Sequence, residues 1–307
     1  MEVSPNLEQA LSWSPDGRLI AVAGERPTVV TVVDPGSGRR STLRPWPSRE
    51  ATAPAGWLRG RRFLLPTFVA TDDRELVVMK ADGTRRTVLT RDRVQDFDPA
   101  PSPDGRAVAF ASIRKGRRLV YVRSASGRER RLVARRIDGQ GSPAWSPDGR
   151  ELAIEAAGAI YLVSAVGGPP RRLVAGGEAA WSPDGKRLAF FGAVGGRFGI
   201  WEIGRDGRGL RYVGGWRQPS FSPDGAHIAF QRPRTNEANA IYVMDLHGAE
   251  VRLVTPHGRN PAWAPDGRTI VFDTRDAIWA VDSNAANLRR LTDERGINES
   301  PAWMRAA

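Results

Sequence analysis

The sequence predicts an all-β chain folded as a ring of repeated sheets. Three observations carry this reading. Near-copies of one phrase recur: "PAWSPDGRELAIE" begins at Pro143, "AAWSPDGKRLAFF" at Ala179 and "PAWAPDGRTIVFD" at Pro261. With the Trp of the phrase as ruler, the equivalent positions are Trp13, Trp57, Pro101, Trp145, Trp181, Phe221, Trp263 and Trp303, separated by 44, 44, 44, 36, 40, 42 and 40 residues. No segment has the length and 3.6-residue period of a good helix. A period near this value is that of one propeller blade. The expected fold is therefore a β-propeller of seven four-stranded blades, with six or eight as alternatives. One domain would span 1–307, with blades starting near residues 13, 57, 101, 145, 181, 221 and 263.

Each interval spells four strands. After the Trp phrase comes an apolar strand such as "RAVAFAS" or "TIVFDT", then a second such as "RLVYVRS" or "AIYVMD". Six of the seven intervals continue into a Gly-bearing turn; the last reads "DSNAAN". An arginine-rich strand such as "RRTVLT" closes the unit. Runs that are apolar at successive positions suit a sheet covered on both faces. Small residues at their centres (Ala21, Ala109, Ala153, Ala189, Ala229) let neighbouring blades approach closely near the axis. "SPDG" is a tight turn between the first two strands: Pro presets φ, Asp bonds nearby backbone, and Gly accepts positive φ. The Trp reads most simply as a blade-to-blade packing residue.

These phrases, with "AIYLVSAVGGPPRRLV", resemble the TolB-type (WD40-like) β-propeller repeat over about Ala10–Trp303. Six in-register turns, at Asp16, Asp104, Asp148, Asp184, Asp224 and Asp266, carry the resemblance; the second unit departs, with "LRGRR" after Trp57. TolB itself has six blades, a preceding α/β domain and an export signal, features not found here. In this family a chain ending on "PAW" often donates its last strand to the first blade, which "NESPAWM" at Asn298–Met304 fits. Residues up to Ser12 would then be displaced or pair elsewhere.

Function is less legible. The formal charge is +12, but Lys80, Lys115 and Lys186 are the only lysines among 46 basic residues, so 43 are arginine, spread along the chain. That distribution offers no groove-reading element, and no specific nucleic-acid partner is expected. There is no cysteine, which excludes disulfides and thiolate sites. The N-terminus lacks a basic start followed by an apolar run, so a soluble, unexported chain is expected. A Gly-x-Ser-x-Gly elbow, a phosphate loop and His-Glu-x-x-His are all missing. His227, His247 and His257 fall at unrelated positions of the sixth unit, and "TDDRE" at Thr71–Glu75 lacks the spacing of a calcium loop. The expectation is no enzyme, no cofactor and no metal.

The remaining feature is the loop face. In a propeller, the loops leading into each inner strand and those between second and third strands share one face, and binding usually lives on such loops. The incoming loops carry Asp96, Phe97, Gln140, Glu178, Trp216, Arg217, Arg259, Asn260, Asn298 and Glu299. "RKGR" at Arg114–Arg117, "GGRF" at Gly195–Phe198 and "RPRTNEAN" at Arg232–Asn239 share this face. Trp216 with Arg217 is the leading pair, since Trp and Arg are enriched at interface hot spots. The expected role is a monomeric scaffold for a protein or peptide partner. The alternatives are a propeller lyase or hydrolase, or a sensor of a small peptide or glycan, acting in the channel.

Overall fold

The computed structural model describes residues 11–302 except 15–17, 24–29, 36, 38, 44–55, 69–73, 93, 128–129, 135–136, 138–140, 215–216, 235–238, 247–249, 275–276 and 292–300. Seven antiparallel sheets account for the strands, and in each the four strands lie side by side in chain order. Their inner strands are Leu11–Trp13, Gly56–Leu58, Asp96–Pro101, Gly141–Trp145, Gly177–Trp181, Arg217–Phe221 and Arg259–Trp263. We number the blades 1 to 7 in that order. The fold is thus a seven-bladed propeller. Among the described residues no helix is long and apolar enough to cross a membrane.

The core explains the ring. Each of its seven clusters bridges one pair of neighbouring blades. Trp57, Phe63 and Val77 of blade 2 pack on Ala21, Val30 and Val32 of blade 1. Trp181 and Phe190 of blade 5 pack on Ala153, Ile160 and Leu162 of blade 4. Val271, Ile278 and Ala280 of blade 7 meet Ile20 and Val33 of blade 1, which closes the circle. The second strand of blade 7, Thr269–Asp273, is buried at every position, as a sheet covered on both faces must be. Trp145 and Trp181 also reach back across their junctions: Trp145 Nε1 donates to the Ala100 carbonyl at 2.9 Å and Trp181 Nε1 to that of Ala144 at 3.1 Å.

The turn phrase behaves as its chemistry requires. In blade 4 the Gly149 amide donates to the Ser146 carbonyl at 2.8 Å, closing the turn, with Gly149 at φ 67°. Asp148 Oδ1 accepts from the Ser146 hydroxyl at 2.6 Å and the Arg150 amide at 3.0 Å. Arg205, from the blade 5 turn, adds an ion pair to Asp148 at 3.0 Å and to Glu151 at 2.6 Å. Burial pushes the Asp148 carboxyl up, but Ser146, the Arg150 amide and Arg205 together bring it down to about 2.

One expectation about the termini is corrected. Neither end is surplus: Pro301–Ala302 pairs in parallel with the inner strand of blade 1, Leu11 opposite Pro301 and Ser12 opposite Ala302. Blade 1 becomes five-stranded, and the first strand is not displaced because the late strand adds to its free edge. Trp303 lies outside the described residues.

Two measurements check this packing. Trp57 is fully buried, so Trp57→Ala should cost about 3–5 kcal/mol, whereas Trp145→Phe, which removes one hydrogen bond from a half-buried ring, should cost about 1 kcal/mol; urea unfolding of the two variants gives the comparison. Asp148 has a folded pKa below its unfolded one, so its stabilisation is present above about pH 4 and lost as pH falls toward about 2. The stability gap between wild type and Asp148→Asn should therefore shrink across that window in urea melts.

Candidate functional site

The loop face is shaped by a slip in the inner strands. In blades 4 to 7 the pairing between inner and second strand shifts register at Gly141/Ala144, Gly177/Ala180, Arg217/Ser220 and Arg259/Ala262. The residue inside each bulge takes positive φ: Ser142 at 41°, Glu178 at 55°, Gln218 at 54° and Asn260 at 52°. Asp98 of blade 3 does the same at 44°. A bulge withdraws backbone groups from the ladder, and a buried N–H left unbonded is costly.

The preceding blade supplies the acceptor each time. Asp98 Oδ2 takes the Ser142 amide at 3.1 Å, and Glu155 Oε1 takes that of Glu178 at 2.5 Å. Glu178 Oε2 takes the Gln218 amide at 2.8 Å, and Gln231 Oε1 that of Asn260 at 3.2 Å. Four successive junctions are thus clasped at the same level. The approach is close: a Cβ on Gly177, which opens the blade 5 inner strand, would lie 2.8 Å from Glu155 Oε2 of blade 4.

Charged residues at the rim are paired across these clasps. Glu178 Oε1 holds Arg217 through Nε at 2.9 Å and Nη2 at 2.5 Å, and the Arg217 guanidinium lies 5.1 Å from the Phe191 ring centre. In blade 7, Arg259 pairs with the fully buried Asp273 at 3.3 Å, and Asn260 Nδ2 donates to it at 2.8 Å. In blade 3, Asp98 pairs with Arg118 at 2.5 Å, and Phe97 lies between the guanidiniums of Arg118 and Arg74 at 5.3 and 5.5 Å.

The junction of blades 2 and 3 differs. Glu75, Asp92 and Asp96 each offer a carboxylate oxygen within 4.8 Å of the other two. Arg114 and Arg130 both bond Asp92 Oδ2, and the Asp92 amide donates to Glu75 Oε1 at 3.2 Å. Asp96 has no exposed surface at all. Burial raises its pKa to about 7; the Ser112 and Thr90 hydroxyls draw it down, while Asp92 and Glu75 push it up. Neither hydroxyl reaches Asp96 with hydrogen-bond geometry.

The structure therefore brings Asp96, Phe97, Glu178, Arg217, Arg259 and Asn260 to the loop-face ends of the inner strands. Gln140, Trp216, Asn298 and Glu299 lie outside the described residues. Sequence reasoning treated Glu178 and Arg217 as free to bind, whereas they bond each other. It passed over Glu155, Gln231 and Asp273, whose signal is a polar residue breaking an apolar second strand at one register. His227 rests with its ring 6.3 Å from that of Trp263. Among the described residues the acidic trio is the one group of three residues placed to share a cation. A cavity of about 730 Å³ lies along the outer edge of blades 2 and 3, lined by Arg62, Lys80, Arg85, Arg91 and Arg123 among others.

Comparison with known proteins places this geometry. The chain is 41% identical over 56 residues to the uncharacterized peptidase YuxL of Bacillus subtilis (strain 168), a match covering 17% of this chain and 8% of that protein. The chain thus spans only a small part of that curated relative. A solved structure of a TolB homologue from Agrobacterium tumefaciens is 26% identical, covers 72% of this chain and 90% of its own, and superposes with a TM-score of 0.57. A puromycin-hydrolyzing peptidase of Mycobacterium tuberculosis shares the fold at 17% identity and TM-score 0.73, over 94% of this chain and 52% of its own. The expectation that the chain is no enzyme is corrected by the peptidases among these proteins. A propeller hosts chemistry in sites added to it, so missing motifs in the blades do not decide the matter. The model of the TolB beta propeller domain matches residues 63–307, and the chain belongs to that family.

Proposed function

We propose that the loop face docks a protein or peptide partner beside blades 5 and 6. The observation that carries this reading is the pairing of an exposed aromatic with a held cation on one rigid rim. Phe198, near the start of the third strand of blade 5 and beside the Gly195–Gly196 turn, is 67% exposed. Arg217 is anchored by Glu178 yet keeps 54% of its side chain in solvent. Arg197 stacks 3.4 Å from the Tyr212 ring centre, which stiffens the strand end bearing Phe198. An apolar anchor and a preorganised guanidinium suit a segment carrying an apolar side chain and a carboxylate. The clasps support the reading, because fixing the rim beforehand lowers the ordering cost of binding.

A second reading is favoured by the stretch shared with YuxL: the propeller serves a hydrolase, and its loop face meets the catalytic part. Turnover of peptide p-nitroanilides by a complex captured on the loop face, and not by the propeller alone, would speak for it.

The docking face has an internal control. Val166 is 71% exposed on the opposite face, in the turn after the third strand of blade 4. With a photo-crosslinking phenylalanine analogue in cells, position 198 should yield a discrete protein adduct that Arg217→Ala weakens, and position 166 should not. Equal yields from both positions would remove the loop face as the site.

A further inference from the structure

We propose that Glu75, Asp92 and Asp96 form a calcium site that ties blade 2 to blade 3. The ligands come from three separate places. Glu75 lies in the third strand of blade 2, Arg74–Lys80; Asp92 in the connection that leaves the blade; Asp96 opens the inner strand of blade 3. One oxygen from each falls within 4.8 Å of the others. Around one calcium, oxygens at 2.3–2.6 Å are separated by at most about 5 Å, so all three reach a single ion.

The independent observation is Asp96. It is completely buried, neither of its oxygens has a hydrogen-bond partner, and one of them lies within 4.8 Å of a carboxylate oxygen of both Glu75 and Asp92. Asp92 adds to this. Its Oδ2 is taken by Arg114 and Arg130, while its buried Oδ1 has no hydrogen-bond partner. Three acceptor oxygens on two carboxylates are thus buried without hydrogen-bond partners, which is unfavourable unless a proton or a cation compensates. The donor set is oxygen only, which selects a hard cation. Calcium fits better than magnesium, because it accepts irregular geometry and side chains of differing reach, with water completing its shell. The site would stand at the level at which the following four junctions are clasped by side-chain oxygens taking bulge amides.

The test uses the whole chain, stripped with chelator, in calorimetric titrations and thermal melts with calcium chloride and magnesium chloride. One calcium per chain should bind, and a saturating concentration should raise the Tm by at least about 3 °C. Asp96→Asn keeps the shape and removes the charge. It should show the wild-type circular dichroism spectrum, no lower a metal-free Tm, and at least tenfold weaker calcium binding. Should that variant fail to fold, Glu75→Gln is read in the same way. Three results would overturn the assignment: no response to either ion up to about 10 mM, beyond the weakest ordinary calcium sites; tighter binding of magnesium than of calcium; or a calcium response unchanged in the variant. In the first case Asp96 carries a proton instead. None of these results bears on docking at Phe198, which lies on blade 5.

Discussion

Every blade here is a sheet with two apolar faces, and that constraint governs the rest. Such a sheet has no surface to give to water, so it needs a neighbour on each side. A row of seven would leave two faces bare at its ends. Only closure removes both, and the contact of Val271, Ile278 and Ala280 with Ile20 and Val33 is where closure is achieved. Fully burying one such side chain stabilises by about 1.5–3 kcal/mol. Seven equivalent junctions therefore outweigh any single polar contact at the rim.

The rim in turn inherits its chemistry from the ring. In blades 4 to 7 the inner strands slip register near their loop-face ends, with bulges at Ser142, Glu178, Gln218 and Asn260. Each bulge frees an amide, and each freed amide engages an acceptor of the blade before it. Carboxylates and amides that look like binding groups thereby become fasteners. Asp96 stands apart, buried like a fastener but without a donor to fasten. The proposed docking rests on groups that stay exposed beyond the clasps, Phe198 and the outward edge of Arg217.

The blade count, the turn chemistry and the packing role of the Trp could be read from the chain because each repeats at fixed spacing, so one local rule is stated several times over. The acidic trio could not. Its members lie in a third strand, a connection and an inner strand, and only the angle between blades 2 and 3 brings them together. "TDDRE" lacks the spacing of a continuous calcium loop, and its Glu75 instead meets two later residues, Asp92 and Asp96. The parallel pairing of Pro301–Ala302 was also hidden, since a closing strand and a displaced one have the same sequence signature. The bulges left a faint trace, the polar Glu155, Gln231 and Asp273 interrupting apolar strands. No catalytic motif is written in the blades, and similarity to proteins named as peptidases corrects the reading from missing motifs.

The direction of the clasps has a consequence for how the molecule is made. In all four, the acceptor belongs to the blade that comes earlier in the chain. The indole donors of Trp145 and Trp181 likewise point to carbonyls translated before them. A polypeptide leaving the ribosome folds its early units first, so every new blade from the fourth onward emerges facing a template that already holds its missing bonds. The seam between blade 7 and blade 1 differs, because there the first-made blade meets the last-made one.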